Sequence, residues 1–182
     1  MEIRKIDNIP GLYEINLDLF EDERGTFREV YNESVLKKFG AQVLRIVQQN
    51  ISSNARAGTT RGIHAEPWNK LVTMAKGNAF GAWVDLRQGD SFGQTHTTEL
   101  NESKVVFVPR GVGNAYQTIE PDTRYSYLTD QNWSPKATYT MLNLADPDIA
   151  IDWPIPLHTA IISDKDYIHP FFKDVAPVEA IK

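Results

Sequence analysis

Two short stretches of the chain hold side chains able to do proton or metal chemistry. The first runs Gly58-Thr59-Thr60-Arg61-Gly62-Ile63-His64, with Glu66 two positions further on. The second is Pro109-Arg110-Gly111-Val112-Gly113-Asn114. A histidine in such a setting has two chemical uses. Neutral imidazole changes charge near working pH, so it can take and return a proton. It is also the commonest protein ligand for a transition metal. The neighbours argue against the second use. Ala65 separates His64 from Glu66, and Asn114 ends the second stretch where another imidazole would be needed. One imidazole with a carboxylate and a carboxamide suits a transition metal poorly. The chain has no cysteine, so thiolate ligands and disulfides are excluded. Neither a metal nor another cofactor is expected.

The elements that must position these residues read mainly as strands. Leu12 to Phe20 alternates apolar and polar from Tyr13 onward, as a half-buried strand should. Glu21-Asp22-Glu23-Arg24-Gly25 is a polar turn, and Thr26 to Tyr31 reads as the returning strand. Asn32 or Ser34 caps one short helix through Phe39, closed by Gly40. Further strands are predicted over Val43 to Gln48, Lys70 to Ala75, Ala79 to Leu86, Thr95 to Leu100, Lys104 to Val108, Arg124 to Leu128 and Ala137 to Asn143. Turn signals at Lys76-Gly77-Asn78 and Arg87-Gln88-Gly89-Asp90 separate several of them. Short, evenly spaced strands with few helices predict a sandwich or a barrel. The tail from Ala145 reads as ordered loops with a short helix.

Composition narrows the function classes. The chain has 182 residues, 41% hydrophobic and 24% charged, which suits one soluble domain with a real core. The net charge of −5 gives no broad basic field for nucleic acid. A phosphorylated small molecule remains a fit if a few arginines converge. No apolar run reaches the roughly 18 residues needed to span a membrane. The N-terminus lacks the apolar core of a signal peptide. A cytoplasmic enzyme or binding module is expected.

The two stretches resemble the half-motifs of the cupin superfamily, whose fold is a double-sheet jelly-roll barrel. The departures at Ala65 and Asn114 imply that barrel without its metal. Further motifs occur in one order: Phe20-Glu21-Asp22-Glu23-Arg24-Gly25-Thr26-Phe27-Arg28-Glu29, Val47-Gln48-Gln49-Asn50-Ile51-Ser52, Arg61-Gly62-Ile63-His64, Lys70-Leu71-Val72, Val84-Asp85-Leu86-Arg87, Phe92-Gly93, Tyr125-Ser126-Tyr127, Asp146-Pro147-Asp148 through Asp152-Trp153-Pro154, and Ser163-Asp164-Lys165-Asp166. Together they resemble the dTDP-4-dehydrorhamnose 3,5-epimerases over roughly residues 12 to 170. The resemblance implies a mainly β, cupin-like jelly roll with a few short helices. It implies one domain over residues 1–182, with a core at about 12–160 and an ordered tail at about 161–182.

That family inverts carbons 3 and 5 of dTDP-4-dehydro-6-deoxy-D-glucose, a step toward dTDP-L-rhamnose. The carbon-4 ketone acidifies both neighbouring C–H bonds, so a base and an acid on opposite faces suffice. The resemblance makes His64 the base, Asp166 its orienting carboxylate, Lys70 the enolate stabiliser and Tyr127 the acid. Tyr125 is the weaker candidate, and alternation does not separate two residues on one strand face. Arg24 and Arg61 match positions that grip the diphosphate, and Lys165 adds charge. Phe20, Phe27, Glu29, Gln48 and Asn50 match positions around the thymidine and sugar. The Arg24 turn is supplied by the partner subunit in the family, which implies a homodimer. Asn114 stands where the family has a second histidine; the resemblance implies a substrate contact there that can hydrogen-bond but cannot carry a proton.

Taken singly, these residues have plainer readings. His64 would be a structural or surface histidine and Lys70 an exposed strand lysine. Asp166 would be a helix cap, Arg24 a solvated turn residue, Arg61 a partner for Asp85 or Glu29, and Tyr127 a packing aromatic. Trp83, Trp133 and Trp153 read as core or interface, and His96, His158 and His169 as surface. Competing functions are a single-site epimerase or ketoisomerase of another dTDP-deoxysugar pathway, and a non-catalytic sugar- or nucleotide-binding cupin.

Overall fold

The computed structural model describes residues 1–38 and 44–179. The strands are β1 (Glu2–Lys5), β2 (Tyr13–Asn16), β3 (Phe20–Asp22), β4 (Gly25–Phe27), β5 (Gln48–Asn54), β6 (Thr60–Ala65), β7 (Lys70–Lys76), β8 (Ala79–Asp85), β9 (Thr95–Leu100), β10 (Lys104–Val108), β11 (Val112–Thr118), β12 (Thr123–Thr129) and β13 (Thr140–Met141). Helix α1 spans Glu33–Lys38 and α2 spans Asp164–Tyr167, followed by a 3-10 turn at Phe172–Asp174. Among the described residues, every pairing between these strands is antiparallel. One sheet has the order β1-β2-β10-β7-β12-β5 and the other β13-β6-β11-β8-β9. Strands β3 and β4 form a separate hairpin. Two facing antiparallel sheets make the expected cupin-type jelly roll.

The sheets bury apolar side chains in three layers. Between them lie Val72, Met74, Trp83, Leu100, Val106, Val108, Tyr116 and Tyr125, with Tyr127 packed at the margin. Behind the five-stranded sheet, Ile63, Val84, Ala115 and Leu142 pack with Trp153 and other residues of the C-terminal tail. Behind the six-stranded sheet, Ile15, Leu71, Val105 and Phe107 pack with Leu36 of α1 and Leu44. Strands β7 and β10 are buried over most of their length, which explains their near-continuous apolar runs.

The tail is tied down by buried polar groups. Asp146 Oδ1 accepts from the backbone N–H groups of Asp148 and Ile149, both at 2.9 Å, and Oδ2 accepts from Phe172 N. Trp153 Nε1 donates to Leu144 O at 2.9 Å. A parallel bridge joins Thr59 to Ile161. The tail therefore runs along β6, the strand that carries His64.

Several expected strands differ from the structure. The run from Leu12 ends at Asn16 in β2, and residues 18–27 are all exposed. The return from Thr26 stops at Phe27. Gln48 begins β5 rather than ending a strand; Val43, with Phe39 and Gly40 of the expected helix end, lies outside the described residues. The strand expected at Ala137 to Asn143 is only Thr140–Met141. Strands β1, β5, β6 and β11 have no counterpart in the expectations. Trp83 and Trp153 are core, whereas Trp133 is 60% exposed. His96 is inside, ion-paired to Glu14 at 2.7 Å and stacked on Trp83.

Candidate active site

The site is built first by an irregularity in β6. Arg61 pairs with Tyr116 and His64 with Asn114, so three steps on β6 match two on β11. In a regular strand, residues three apart point to opposite faces. The extra residue puts Arg61 and His64 on the same face. Gly62 makes this geometry available: its φ is +128°, and a Cβ there would lie 2.5 Å from the Ala115 Cβ. Only glycine adopts such backbone without strain.

His64 is half-buried. Its Nε2 lies 2.9 Å from Asp166 Oδ1. Asp166 sits on α2, where Ser163 caps the helix by accepting from Asp166 N at 3.2 Å. Asn143 Nδ2 donates to Tyr167 O and His169 O at 3.1 and 3.0 Å, fixing the segment that follows. Burial pushes the Asp166 carboxyl up, but the hydrogen bond and charge of His64 outweigh it. With His169 adding to them, the carboxyl lies below its usual range.

His169 is a member of this cluster that the sequence had placed on the surface. Its Nε2 lies 3.7 Å from the same Asp166 oxygen, and its ring meets His64 edge-on at 5.3 Å between centroids. Burial, and then the charge of His64, push the His169 imidazole down. The one sequence signal is its place three residues after Asp166, at a helix end.

The opposite sheet supplies the other groups. Lys70 opens β7, is buried, and forms an ion pair with Glu66. Its Nζ stands 5.7 Å from the centroid of the Tyr127 ring. Burial pulls the Lys70 ammonium down to about 7. Tyr127 lies on β12 opposite Asn50 of β5 and Val72 of β7. Burial pushes its hydroxyl up, so it stays protonated at neutral pH. Tyr125 is placed differently. It is stacked on Tyr116 at 4.0 Å and its hydroxyl donates to Asn114 Oδ1 at 3.1 Å.

Polar contacts line the β5 side. Gln48 Nε2 donates to Asn50 Oδ1 at 2.8 Å, and Gln48 Oε1 accepts from Trp133 N. Arg61 Nε donates to Asn54 Oδ1 at 3.4 Å. Neither Asp85 nor Glu29 pairs with Arg61: Asp85 is held by Arg87, and Glu29 accepts from Asn32. Arg61, His64, Lys165, Asp166 and His169 line one cleft of about 510 Å³. A larger hollow of about 730 Å³ borders Glu66, Arg110 and the tail at Ala176–Glu179. Its ionisable lining is Glu66, Arg87, Arg110 and Glu179, with no histidine or tyrosine.

Four expected site residues lie elsewhere in the protomer. Arg24, Phe20 and Phe27 belong to the exposed β3–β4 hairpin, where Arg24 pairs with Asp22 at 2.5 Å. The Phe20 and Phe27 rings lie 6.5 Å apart and are 61% and 69% exposed. Glu29 is exposed beyond the hairpin. None of these lines the His64 cleft, and neither do Lys70, Tyr127, Gln48, Asn50 or Asn114.

The sequence matches the dTDP-4-dehydrorhamnose 3,5-epimerase family over residues 7–174. The chain belongs to that family. A Streptococcus pyogenes relative named "Protein RmlC homolog" is 37% identical, over 97% of this chain and 92% of the relative. RmlC from Streptococcus suis, solved with dTDP-D-xylose, is 38% identical with a TM-score of 0.91, covering 97% of this chain and 94% of that one. A Streptomyces niveus protein named dTDP-4-dehydrorhamnose 3-epimerase is 32% identical, over 91% of this chain and 81% of its own. In this chain the expected His64–Asp166 pair is in hydrogen-bond contact, and Lys70 stands beside the Tyr127 ring.

Proposed function

We propose that the protein is a sugar-nucleotide epimerase. It converts dTDP-4-dehydro-6-deoxy-D-glucose to dTDP-4-dehydro-L-rhamnose, in the route to dTDP-L-rhamnose. The observation that carries this reading is the His64–Asp166 pair at 2.9 Å, with His64 on β6 of one sheet and Asp166 on α2, while Lys70 and Tyr127 lie together on β7 and β12 of the other sheet. With Nε2–H donating to Asp166, the lone pair of Nδ1 is free to accept a proton; this tautomer is assigned from the hydrogen bond. His64 removes the hydrogen next to the carbon-4 ketone, and Asp166 stabilises the imidazolium that forms. The Lys70 ammonium stabilises the enolate oxygen. A donor of that kind is worth about a hundred- to a thousandfold in rate. Tyr127 returns a proton from the opposite face. Tyr125 is less suited, because its hydroxyl is engaged by Asn114. Asn114 then acts as a structural acceptor and no second histidine is needed at that position. The chemistry calls for no metal or other cofactor, so chelator should leave activity unchanged.

Arg61 and Lys165 are the cleft's diphosphate contacts, and Gln48 and Asn50 face the sugar. The exposed hairpin supports a homodimer in which Arg24, Phe20 and Phe27 complete the partner's site. Glu29 would contribute there too. The three shared apolar layers support reading residues 1–182 as a single domain. Among the described residues no helix is long and apolar enough to cross a membrane. With the acidic charge, this supports a cytoplasmic enzyme with neither nucleic-acid nor membrane partners.

The test is incubation with the 4-keto sugar in D₂O. Deuterium should enter at carbon 3 and carbon 5. In the His64→Ala variant exchange should vanish while dTDP binding persists. A variant that exchanges normally would remove His64 as the base. The Streptomyces niveus relative favours a second reading, epimerisation at carbon 3 alone. Uptake at one carbon only would select it.

A further inference from the structure

We infer that the cluster of His64, Asp166 and His169 is a binding site for a divalent transition-metal ion of the zinc type, and that the bound ion blocks proton abstraction. The two imidazole Nε2 atoms face the same carboxylate oxygen, at 2.9 and 3.7 Å. All three donor atoms lie within 4.8 Å of one another. In a tetrahedral zinc site with bonds of about 2.0–2.1 Å, neighbouring ligand atoms are roughly 3.3 Å apart. The cluster reaches that spacing by small side-chain movements. Two imidazoles and a carboxylate form one of the donor sets that zinc sites use, with a fourth position open.

The surroundings favour binding. The three ligands come from β6 and the tail. The tail part is anchored by the Ser163 cap and by Asn143 bonding to both Tyr167 O and His169 O. The cluster borders an open cleft, which gives an ion a way in. Other histidines lack this company: His96 is committed to Glu14.

The inhibition follows from proton inventory. A neutral imidazole carries one N–H. When the metal takes the Nε2 lone pair, the single proton must reside on Nδ1. Nδ1 then has no lone pair for the substrate's proton. Asp166 is diverted at the same time. This part rests on His64 being the base; the binding itself does not.

The experiment uses the whole protein after chelator treatment. Calorimetric titration with Zn²⁺ should give one site per protomer. His169→Gln should weaken it by at least about tenfold, and His158→Gln, outside the cleft, should not. Co²⁺ should develop the visible bands of a four-coordinate nitrogen–oxygen site and selectively broaden the His64 and His169 imidazole resonances. This last measurement needs no variant, so a misfolded His169→Gln does not blunt the test. Zn²⁺ should suppress deuterium exchange and chelator should restore it. Absence of binding, equal binding by His169→Gln, or broadening at His96 or His158 instead would overturn the site and leave the epimerase reading standing. Zinc bound at the cluster with undiminished exchange would overturn the inhibition and His64 as the base.

Discussion

Lys70 shows how one buried charge links structure to rate. Taking an ammonium out of water favours its neutral form, and burial draws this one to about 7. The enolate needs the charged form. Activity should therefore fall as pH rises and Lys70 loses its proton. Glu66 opposes that loss, because a carboxylate against the ammonium favours the charged state. Glu66→Gln should move the alkaline limb of kcat/KM to lower pH by about one unit, equivalent to about 1.4 kcal/mol. A pH–rate profile checks this, and an unmoved limb would separate Glu66 from the charge of Lys70. The spacing of Lys70 from His64 hints at a joint role, but Glu66 reads in sequence only as a spoiled metal ligand. Its pairing with Lys70 arises because the short loop of Glu66, Pro67, Trp68 and Asn69 turns one strand into the other.

At the scale of elements, the bulge in β6 is the decisive feature. Gly62→Ala would press a Cβ to 2.5 Å from the Ala115 Cβ in a backbone with φ +128°. The expected cost is about 3 kcal/mol, read as a fall of roughly 10 °C in Tm. Activity measured well below that Tm should also fall, because Arg61 and His64 lose their common face. An active variant with normal Tm would show that the bulge does not depend on glycine. Strands β5 and β6, which carry Gln48, Asn50, Arg61 and His64, were among the least legible in sequence. Strands β7 to β10 and β12 were predicted within a residue or two, since their apolar content is dense or alternating. On β5, the inward positions are Gln48, Asn50, Ser52 and Asn54, and the outward ones include exposed Ile51. Hydrophobic periodicity reports burial in apolar surroundings. It is silent on a strand whose inner face meets a polar cavity.

The whole molecule adds two further effects. Glu14 on β2 joins β1, β9 and β10 through Arg4, His96 and Lys104. Burial pushes its carboxyl up, but the His96 hydrogen bond and the charges of Lys104, His96 and Arg4 outweigh it and hold it at about 2. A carboxyl held low stabilises the fold above its ordinary value near 4.5 and loses that contribution as pH falls to about 2. The contribution is on the order of 2 kcal/mol after allowance for solvent screening. Glu14→Gln should be less stable at neutral pH and show a shallower loss between these limits in acid denaturation. Parallel curves would remove Glu14 from the acid response. The second effect concerns assembly. If the β3–β4 hairpin completes the partner's site, Arg24→Ala and His64→Ala proteins, each inactive, should regain activity when mixed and allowed to exchange protomers. One site in each mixed dimer then has both residues. No recovery would place Arg24 in its own protomer's site.

The sequence by itself determined the class of fold and the family. Ordered motifs are readable in the linear chain, and so His64, Lys70, Tyr127 and Asp166 could be named as candidates without coordinates. Only the tertiary structure decided how they meet. The bulge at Gly62 turned Arg61 and His64 to one face against the two-residue rule. The tail brought Asp166 across 102 positions to His64, and carried His169 in with it. Asn114 was given to Tyr125, whose hydroxyl donates to its Oδ1. None of these follows from local pattern, because each depends on which distant backbone lies alongside and on what shares its buried space. Position 169, which the sequence placed on the surface, lies instead beside His64 and Asp166.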